Sequence, residues 1–426
     1  MERVILAGLD LDDGRDFACS MEELEELAKA ADMKVVGVMS QRASAVNKAF
    51  YIGTGKVEQV RQLAAESGAG LVIFDNALSP MQLRNLQKEL KLAVMDRTTL
   101  ILEIFSKRAR TREAKLQVET ASLQYMLPRL VGLHDALSRQ GGASGSMSSK
   151  GAGEKKLELD RRHIEARLAA LRRELARVEK DRETQRKQRL KSAIPSVSLV
   201  GYTNAGKSTV MNALIDRYTC GEEKKVLEKD MLFATLDTTV RKMEGEGGKS
   251  FLLSDTVGFI DELPHNLVKA FRSTLEEVKN ADLLLHVIDY SDESYRAHMK
   301  VTEKTLEELG AGKIPVICIF NKLDLKAGEV LTGEEEYPRI AGNNIFMAAG
   351  KGLGIEELVS LIEKNLFGKR KEYELMIPYT AGGVFSDLSG KAYIKAYEYR
   401  EAGIYVRAAL DEKMAGRYKK YVQNEP

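Results

Sequence analysis

The run Gly201-Tyr202-Thr203-Asn204-Ala205-Gly206-Lys207-Ser208 fits Gly-x-x-x-x-Gly-Lys-Ser, and few octapeptides restrict a fold so tightly. Such a loop cradles nucleotide phosphates with its own backbone amides. It therefore has to leave a strand and enter a helix whose N-terminal N–H groups face the anion. The flanks meet both demands: Ile194 and the apolar run 197–200 read as a buried strand, and Thr209 leads into the helical pattern of 210–214. A nucleoside triphosphate is expected here, with Lys207 on the β and γ phosphates and Ser208 binding Mg²⁺ through its hydroxyl.

A chain of 426 residues exceeds one hydrophobic core, so roughly three domains are expected. No apolar run approaches the roughly 18 residues that span a bilayer, and Met1-Glu2-Arg3 lacks a signal-peptide layout, which points to the cytoplasm, with a peripheral position at the membrane left open. The three cysteines, Cys19, Cys220 and Cys318, have no metal-ligand spacing, so neither disulfides nor zinc are expected.

The net charge of +2 hides an uneven distribution. Residues 106–191 hold 22 Lys and Arg against 11 Asp and Glu, and the remainder of the chain is correspondingly acidic. A basic segment of this kind suits a polyanion such as RNA, the bland alternative being a solvated helix rich in Arg and Glu.

Residues 1–105 alternate short apolar runs with helical patterns, the βαβα order of a parallel sheet with packed helices. Within them Gly53-Thr54-Gly55-Lys56 resembles part of a second phosphate loop. Phe50 stands where a glycine is needed, and Val57 replaces the hydroxyl, so a turn ahead of a helix is the better reading. Residues 106–191 differ in kind. Leu116, Thr120, Leu123, Leu127 and Leu130 step by four and three, and Ile164, Leu168, Leu171, Leu175 and Val178 do the same. Two helices with matching seams predict an antiparallel hairpin, reaching about 40 Å at 1.5 Å per residue. Its tip is placed at 138–153, rich in Gly and Ser, where glycine amides with Arg139 and Lys150 could meet phosphates. A nucleotide domain at 192–366 follows, then a small α+β domain at 367–426, whose strand candidates 393–400 and 403–409 flank Glu401-Ala402 as a hairpin. The expected fold class is α/β: a parallel N-terminal domain, a long helical hairpin, a mostly parallel P-loop domain and an α+β tail.

Four further motifs come after the loop. Asp255-Thr256-Val257-Gly258 succeeds an apolar run, placing a carboxylate near the metal and a glycine amide near the γ-phosphate. Asn321-Lys322-Leu323-Asp324 ends another predicted strand, where α/β sheets hold ligands. Its Asp324 can accept from both N–H donors on the guanine edge, which selects GTP over ATP. Ala348-Ala349-Gly350 supplies a backbone contact to the base where such domains usually carry a serine first. In Phe233-Ala234-Thr235-Leu236-Asp237, Thr235 is the candidate switch residue on Mg²⁺, with Thr238 and Thr239 as rivals that spacing alone does not separate.

These motifs, in this order, resemble a translation-factor-class GTPase, and the flanks resemble the HflX family. The matching residues are Gly53-Thr54-Gly55-Lys56-Val57-Glu58, Asp96-Arg97-Thr98, Ile104-Phe105 with Arg108-Ala109-Arg110-Thr111, Leu127-Pro128-Arg129-Leu130, Ser138-Arg139-Gln140-Gly141-Gly142, Asp160-Arg161-Arg162, and Leu232 with the 233–237 motif, on which the choice of Thr235 rests. Ala152 departs from the proline usual there. The resemblance implies a monomeric GTPase that binds the large ribosomal subunit, its arm touching ribosomal RNA through Arg139, Gln140, Gly141, Gly142 and Lys150, and that splits stalled or hibernating ribosomes. Lys207, Thr235, Gly258 and Asn204 are the candidate catalytic residues. Phe259 stands where many GTPases carry the glutamine that orients water, so slow hydrolysis alone and stimulation by ribosomes are expected. Asn204 is a candidate K⁺ ligand. Two other classes remain open: a GTP-controlled protein-docking module, and an NTP-dependent RNA remodelling factor.

Overall fold

β1 (Glu2–Asp10), β2 (Met33–Arg42), β3 (Leu71–Phe74) and β4 (Ala93–Asp96) pair in the order β2-β1-β3-β4, every pair parallel. The computed structural model describes residues 1–12, 14, 16–140, 147–191, 194–218, 233, 239–244, 249–260, 277–326, 338–368, 371–410 and 412–424. Helices α1 (Phe17–Ala30), α2 (Thr54–Ser67) and α3 (Pro80–Leu90) join the four strands, and α4 (Arg97–Arg108) follows the last of them. Val4, Ile5, Leu6 and Ala7 are all fully buried, as befits a parallel strand with no solvent-facing side. The caps are local chemistry: Asp16 accepts from the Cys19 amide, and Ser79 and Gln82 form a reciprocal capping box around Pro80 at the first turn of α3. Gly53 is the N-cap of α2, so Gly53-Thr54-Gly55-Lys56 is a helix start.

One residue where β4 meets α4 ties this sheet to the long helix beyond it. The buried Asp96 carboxylate accepts from the Leu78 amide at 3.1 Å, the Thr99 amide at 2.9 Å, the Tyr125 hydroxyl at 2.7 Å and the Arg129 guanidinium. Arg97 in turn donates to Asp75 at 2.6 Å and to Glu23. Asp96 and Arg129, far apart in sequence, thus fasten the middle of the long helix to the end of the first sheet, while the neighbouring Arg97 ties α4 to β3 and α1. Burial pushes the Asp96 carboxyl up, but Arg129 and the converging donors outweigh it and hold the pKa below the usual carboxylate value.

The hairpin consists of α5 (Arg112–Gln140) and α6 (Met147–Lys191). Leu116, Thr120, Leu168 and Leu171 of the two seams are buried. Two ion pairs set the register: Arg112 with Glu174 at 3.0 Å and Glu119 with Arg167 at 2.6 Å. Both pairs add to the same sum, so residues equidistant from about position 143 face each other, which makes the helices antiparallel. The helices run closer to the tip than the glycines suggest: 138–140 and 147–153 are helical, leaving 141–146 between them. A helical glycine costs about 1 kcal/mol relative to alanine, a penalty that does not by itself end a helix already nucleated.

α7 (Lys207–Tyr218) opens a second sheet system after β5 (Ser196–Gly201). With β6 (Thr239–Glu244), β7 (Ser250–Asp255), β8 (Leu283–Asp289), β9 (Val316–Asn321), β10 (Arg339–Ala341) and β11 (Asn344–Phe346), β5 forms a seven-stranded sheet ordered β10-β11-β9-β8-β5-β7-β6. The five inner strands are parallel and both outer pairs antiparallel. α7 and α10 (Ile355–Phe367) pack on one face, burying Val210, Leu214, Leu358 and Ile362 against Leu199, Leu253 and Ile319. α8 (Tyr295–Glu308) and the single turn α9 (Leu323–Lys326) lie between β8 and β10 in the chain.

The tail folds as β12 (Lys371–Ile377), α11 (Gly382–Lys391), β13 (Tyr393–Arg400), β14 (Gly403–Leu410), α12 (Glu412–Tyr418) and β15 (Val422–Asn424). The antiparallel order β13-β14-β12-β15 is that of a ferredoxin-like β-α-β-β-α-β unit, with the expected β13-β14 hairpin turning at Glu401-Ala402. The chain divides into two compact units. One holds the first sheet, the hairpin to Glu179 and, from further along the chain, Phe233; the other holds the two remaining sheets and their helices. No described helix is long and apolar enough to cross a membrane.

Candidate functional site

The loop at 201–206 leaves β5 and enters α7, as its sequence demands. Asn204 at φ 59° and Gly206 at φ 92° turn the backbone left-handed, the alternation that aims successive amides into one concavity. At Gly206 only glycine fits, because a side-chain carbon there would collide with Asn321 Nδ2. Lys207 is buried and donates to the carbonyls of Gly201 at 3.1 Å and Tyr202 at 2.7 Å. Burial lowers its pKa to about 8, with Asp255 opposing the shift. The loop is thus a set of amides closed around an ammonium that forms no ion pair among the described residues. Tyr202 stacks its ring on His298 of α8 at 3.9 Å, and Ala205 is fully buried beneath the loop.

At the end of β7, Asp255 is fully buried and accepts from the Ser208 hydroxyl at 2.9 Å. A hydroxyl and a carboxylate converging beside a phosphate loop are hard oxygen donors, the set Mg²⁺ takes, and they fit that ion. Thr209 is the third residue of α7, and Thr256 donates to the Leu199 carbonyl at 2.6 Å, locking β7 to β5. Val257 is buried, and then the chain folds back onto the loop. The Thr203 amide donates to the Phe259 carbonyl at 2.8 Å, and the Phe259 amide to the Gly201 carbonyl at 3.0 Å, a parallel bridge between the two segments. Gly258 is held close: a side-chain carbon on it would lie 2.9 Å from Lys207 Nζ, from Thr203 Cα and from Thr203 Cγ2. Phe259, at the position of the missing glutamine, is only 2% exposed.

The base-reading motif sits at the end of β9. Asn321 donates from Nδ2 to the Ala205 carbonyl at 3.1 Å and accepts at Oδ1 from the Ala349 amide at 3.0 Å, so it fastens the phosphate loop to the 348–350 turn. Lys322, at φ 59°, pairs with Asp289 at 2.7 Å. Leu323 is buried, donating its amide to Met347, while Asp324 is exposed. Ala348 and Ala349 are buried and Gly350 is exposed. Residues 201–209, 255–258, 321–324 and 348–350 therefore meet at the carboxyl ends of β5, β7, β9 and β11, where a ligand site belongs in such a sheet.

The other residues singled out from sequence lie elsewhere or outside the described residues. Phe233, at φ 56° and 2% exposed, sets its ring edge-on to Phe105 of α4 at 4.6 Å. Ala234, Thr235, Leu236 and Asp237 are outside the described residues, as are Gly141 and Gly142 and the side chains of Arg139, Gln140 and Lys150. One participant escaped sequence reading: Asp289. The signal was present, since it ends the apolar run of β8 with a carboxylate at the ligand-bearing edge of the sheet. His286, inside the same strand, has its pKa lowered to about 4 by burial and by the nearby Lys207 charge, so it is neutral at pH 7.

Three family models match the chain: GTP-binding GTPase N-terminal over residues 18–106, GTP-binding GTPase Middle Region over 108–189, and 50S ribosome-binding GTPase over 196–322. Over 403 residues the chain is 43% identical to GTPase HflX of Caldanaerobacter subterraneus, covering 95% of this chain and 90% of that one. It is 44% identical over 403 residues to GTPase HflX of Alkalihalophilus pseudofirmus, covering 94% and 92%. Among solved structures, SsGBP in complex with GDP aligns at a TM-score of 0.48 with 25% identity, over 85% of this chain and 98% of that one.

Proposed function

Since this chain belongs to the HflX family of GTPases, we propose that it couples GTP hydrolysis to the large ribosomal subunit and separates stalled or hibernating ribosomes into subunits. Hydrolysis of GTP to GDP and phosphate is the family's activity. The description 50S ribosome-binding GTPase, matched over 196–322, supports the choice of target.

The observation that carries the reading is the hairpin. An antiparallel pair of long helices, drawn from a segment with twice as many basic as acidic residues, ends in the glycine-rich 141–146. RNA is the polyanion that fits such an arm, with Arg139, Gln140, Gly141, Gly142 and Lys150 at its end making the contacts. In this reading GTP holds the segments around Thr235 and Gly258 and favours the ribosome-binding arrangement, and hydrolysis releases it. Ser208 and Thr235 would hold Mg²⁺, which would supply positive charge beside the β and γ phosphates. Lys207 leaves the Gly201 and Tyr202 carbonyls for those phosphates, and Asp324 reads the base.

Sedimentation of intact ribosomes with the protein and GTP, a non-hydrolysable analogue or GDP tests the proposal. Subunits should accumulate with the two triphosphates and not with GDP. Intact ribosomes under all three conditions would refute splitting, and failure to co-sediment with large subunits would refute the target. Binding should weaken steeply between about 50 and 200 mM salt if several phosphates are neutralised.

A further inference from the structure

Phe259 leaves the hydrolytic water without the side-chain amide that many GTPases supply, and a neighbouring residue stands in an unusual state. Thr203 is 6% exposed, and its hydroxyl oxygen is buried with no hydrogen-bond partner among the described residues. Buried side-chain polar atoms nearly always find a partner, so one left without calls for an explanation, commonly a role that a ligand completes. Its position supplies one. The point 2.9 Å from Thr203 Cγ2 is also 2.9 Å from Lys207 Nζ and is one bond from the Gly258 α-carbon. The Thr203 side chain therefore lies beside the two groups that face the terminal phosphate in a loop of this type. Its amide is fixed by the Phe259 carbonyl, which seats it directly beside the residue that lacks the amide.

We infer that the Thr203 hydroxyl is a catalytic hydrogen-bonding group, contacting the γ-phosphate and the water that attacks it. This rests on the assignment of the 201–208 loop to GTP. In the step, the water oxygen forms a bond to the γ-phosphorus while the bond from that phosphorus to the β–γ bridging oxygen breaks, its electron pair leaving with GDP. One water proton stays on the oxygen that becomes part of the released phosphate, and the other passes to solvent. Thr203 keeps its own proton throughout: Oγ1 accepts from the water, and its O–H donates to a γ-phosphate oxygen. The group thus orients the nucleophile, the task the glutamine performs elsewhere. The Cγ2 methyl packs on Gly258 and holds the hydroxyl in one rotamer, as a β-branched residue does.

Thr203→Val keeps the shape and the methyl contact and removes only the hydroxyl; Thr203→Ser keeps the hydroxyl. Single-turnover GTP hydrolysis and the affinity for fluorescent GDP are measured for both variants and for the unaltered protein, with and without large ribosomal subunits. The expected result is hydrolysis slowed at least tenfold in Thr203→Val, within threefold of normal in Thr203→Ser, and GDP affinity within twofold in both. Hydrolysis within twofold of normal in Thr203→Val would overturn the inference. So would a Thr203→Ser as slow as the valine variant, or a parallel loss of GDP affinity, which would make the residue structural. An unaltered protein that binds GDP but never hydrolyses GTP would overturn the GTPase assignment, and this inference with it.

Discussion

Replacing Asn321 with alanine should weaken the nucleotide-binding unit even when no nucleotide is present. The side chain is 2% exposed and makes two bonds to backbone groups on different loops, donating to the Ala205 carbonyl and accepting from the Ala349 amide. Alanine reaches neither. Each stranded buried group costs about 1–3 kcal/mol, so the pair costs about 2–6 kcal/mol. At about 2–4 °C per kcal/mol for a domain of this size, the thermal midpoint should fall by at least about 4 °C. Calorimetry of the full chain measures it, the relevant transition being the one that GDP shifts upward, because a ligand stabilises only the unit that binds it. Asp324→Ala is the matched control: Asp324 is exposed, so its loss should leave that transition unmoved while weakening guanine binding. If Asn321→Ala melts with the unaltered protein in the absence of nucleotide and differs only with GDP, the bridge between the two loops is not structural and the reasoning fails.

Asp96→Asn should cost about 3–5 kcal/mol, because it removes one partner of a buried ion pair and leaves Arg129 without its carboxylate; urea unfolding of the transition that GDP does not shift measures this. Since the folded pKa of Asp96 lies below the unfolded value, its stabilisation is present above about pH 4 and is lost as the pH falls through the folded value, so the variant should show a flatter acid profile. For Lys207 the sign is reversed in its consequence for binding: its pKa is about 8 without nucleotide and rises beside phosphate, so GDP affinity is full below pH 8 and falls above it, by up to tenfold per unit. Titrations at pH 7 and pH 9 check this, and equal affinities would contradict it. Exchanging K⁺ for Na⁺ at constant ionic strength should slow hydrolysis if Asn204 helps to hold the ion; unchanged turnover would remove it from that role.

The range of each interaction decides whether it can be read from sequence. Residues 201–209 carry their own instructions, since a glycine spacing, a lysine and a hydroxyl specify a loop between strand and helix whatever surrounds them. The hairpin seam was equally plain, because 4,3 spacing is a property of one helix at a time. Asp289 was missed because its partner Lys322 is brought near only when β8 and β9 pair. The same holds for Phe259: its lack of an amide was visible in the sequence, but the bridge its backbone makes to Gly201 and Thr203 depends on where β7 lies beside β5. The seat of Phe233 against Phe105 joins residues more than a hundred positions apart and leaves no local pattern. The tip of the hairpin erred in the other direction. Local composition favoured a loop over 138–153, and cooperative extension of two long helices overrode it at both ends.

The mirror register of the hairpin makes it a ruler with fixed graduations. Because Arg112 faces Glu174 and Glu119 faces Arg167 about a common centre near residue 143, the arm can be shortened only in matched steps. Deleting seven residues from each helix at equal distances from that centre removes about 10.5 Å of reach and returns every seam residue to its partner. Deleting the same number from one helix alone would slide the seam and set like charges against each other. Length in this protein is thus inherited in paired heptads, and whatever depth the arm must reach can be met only to the nearest such step.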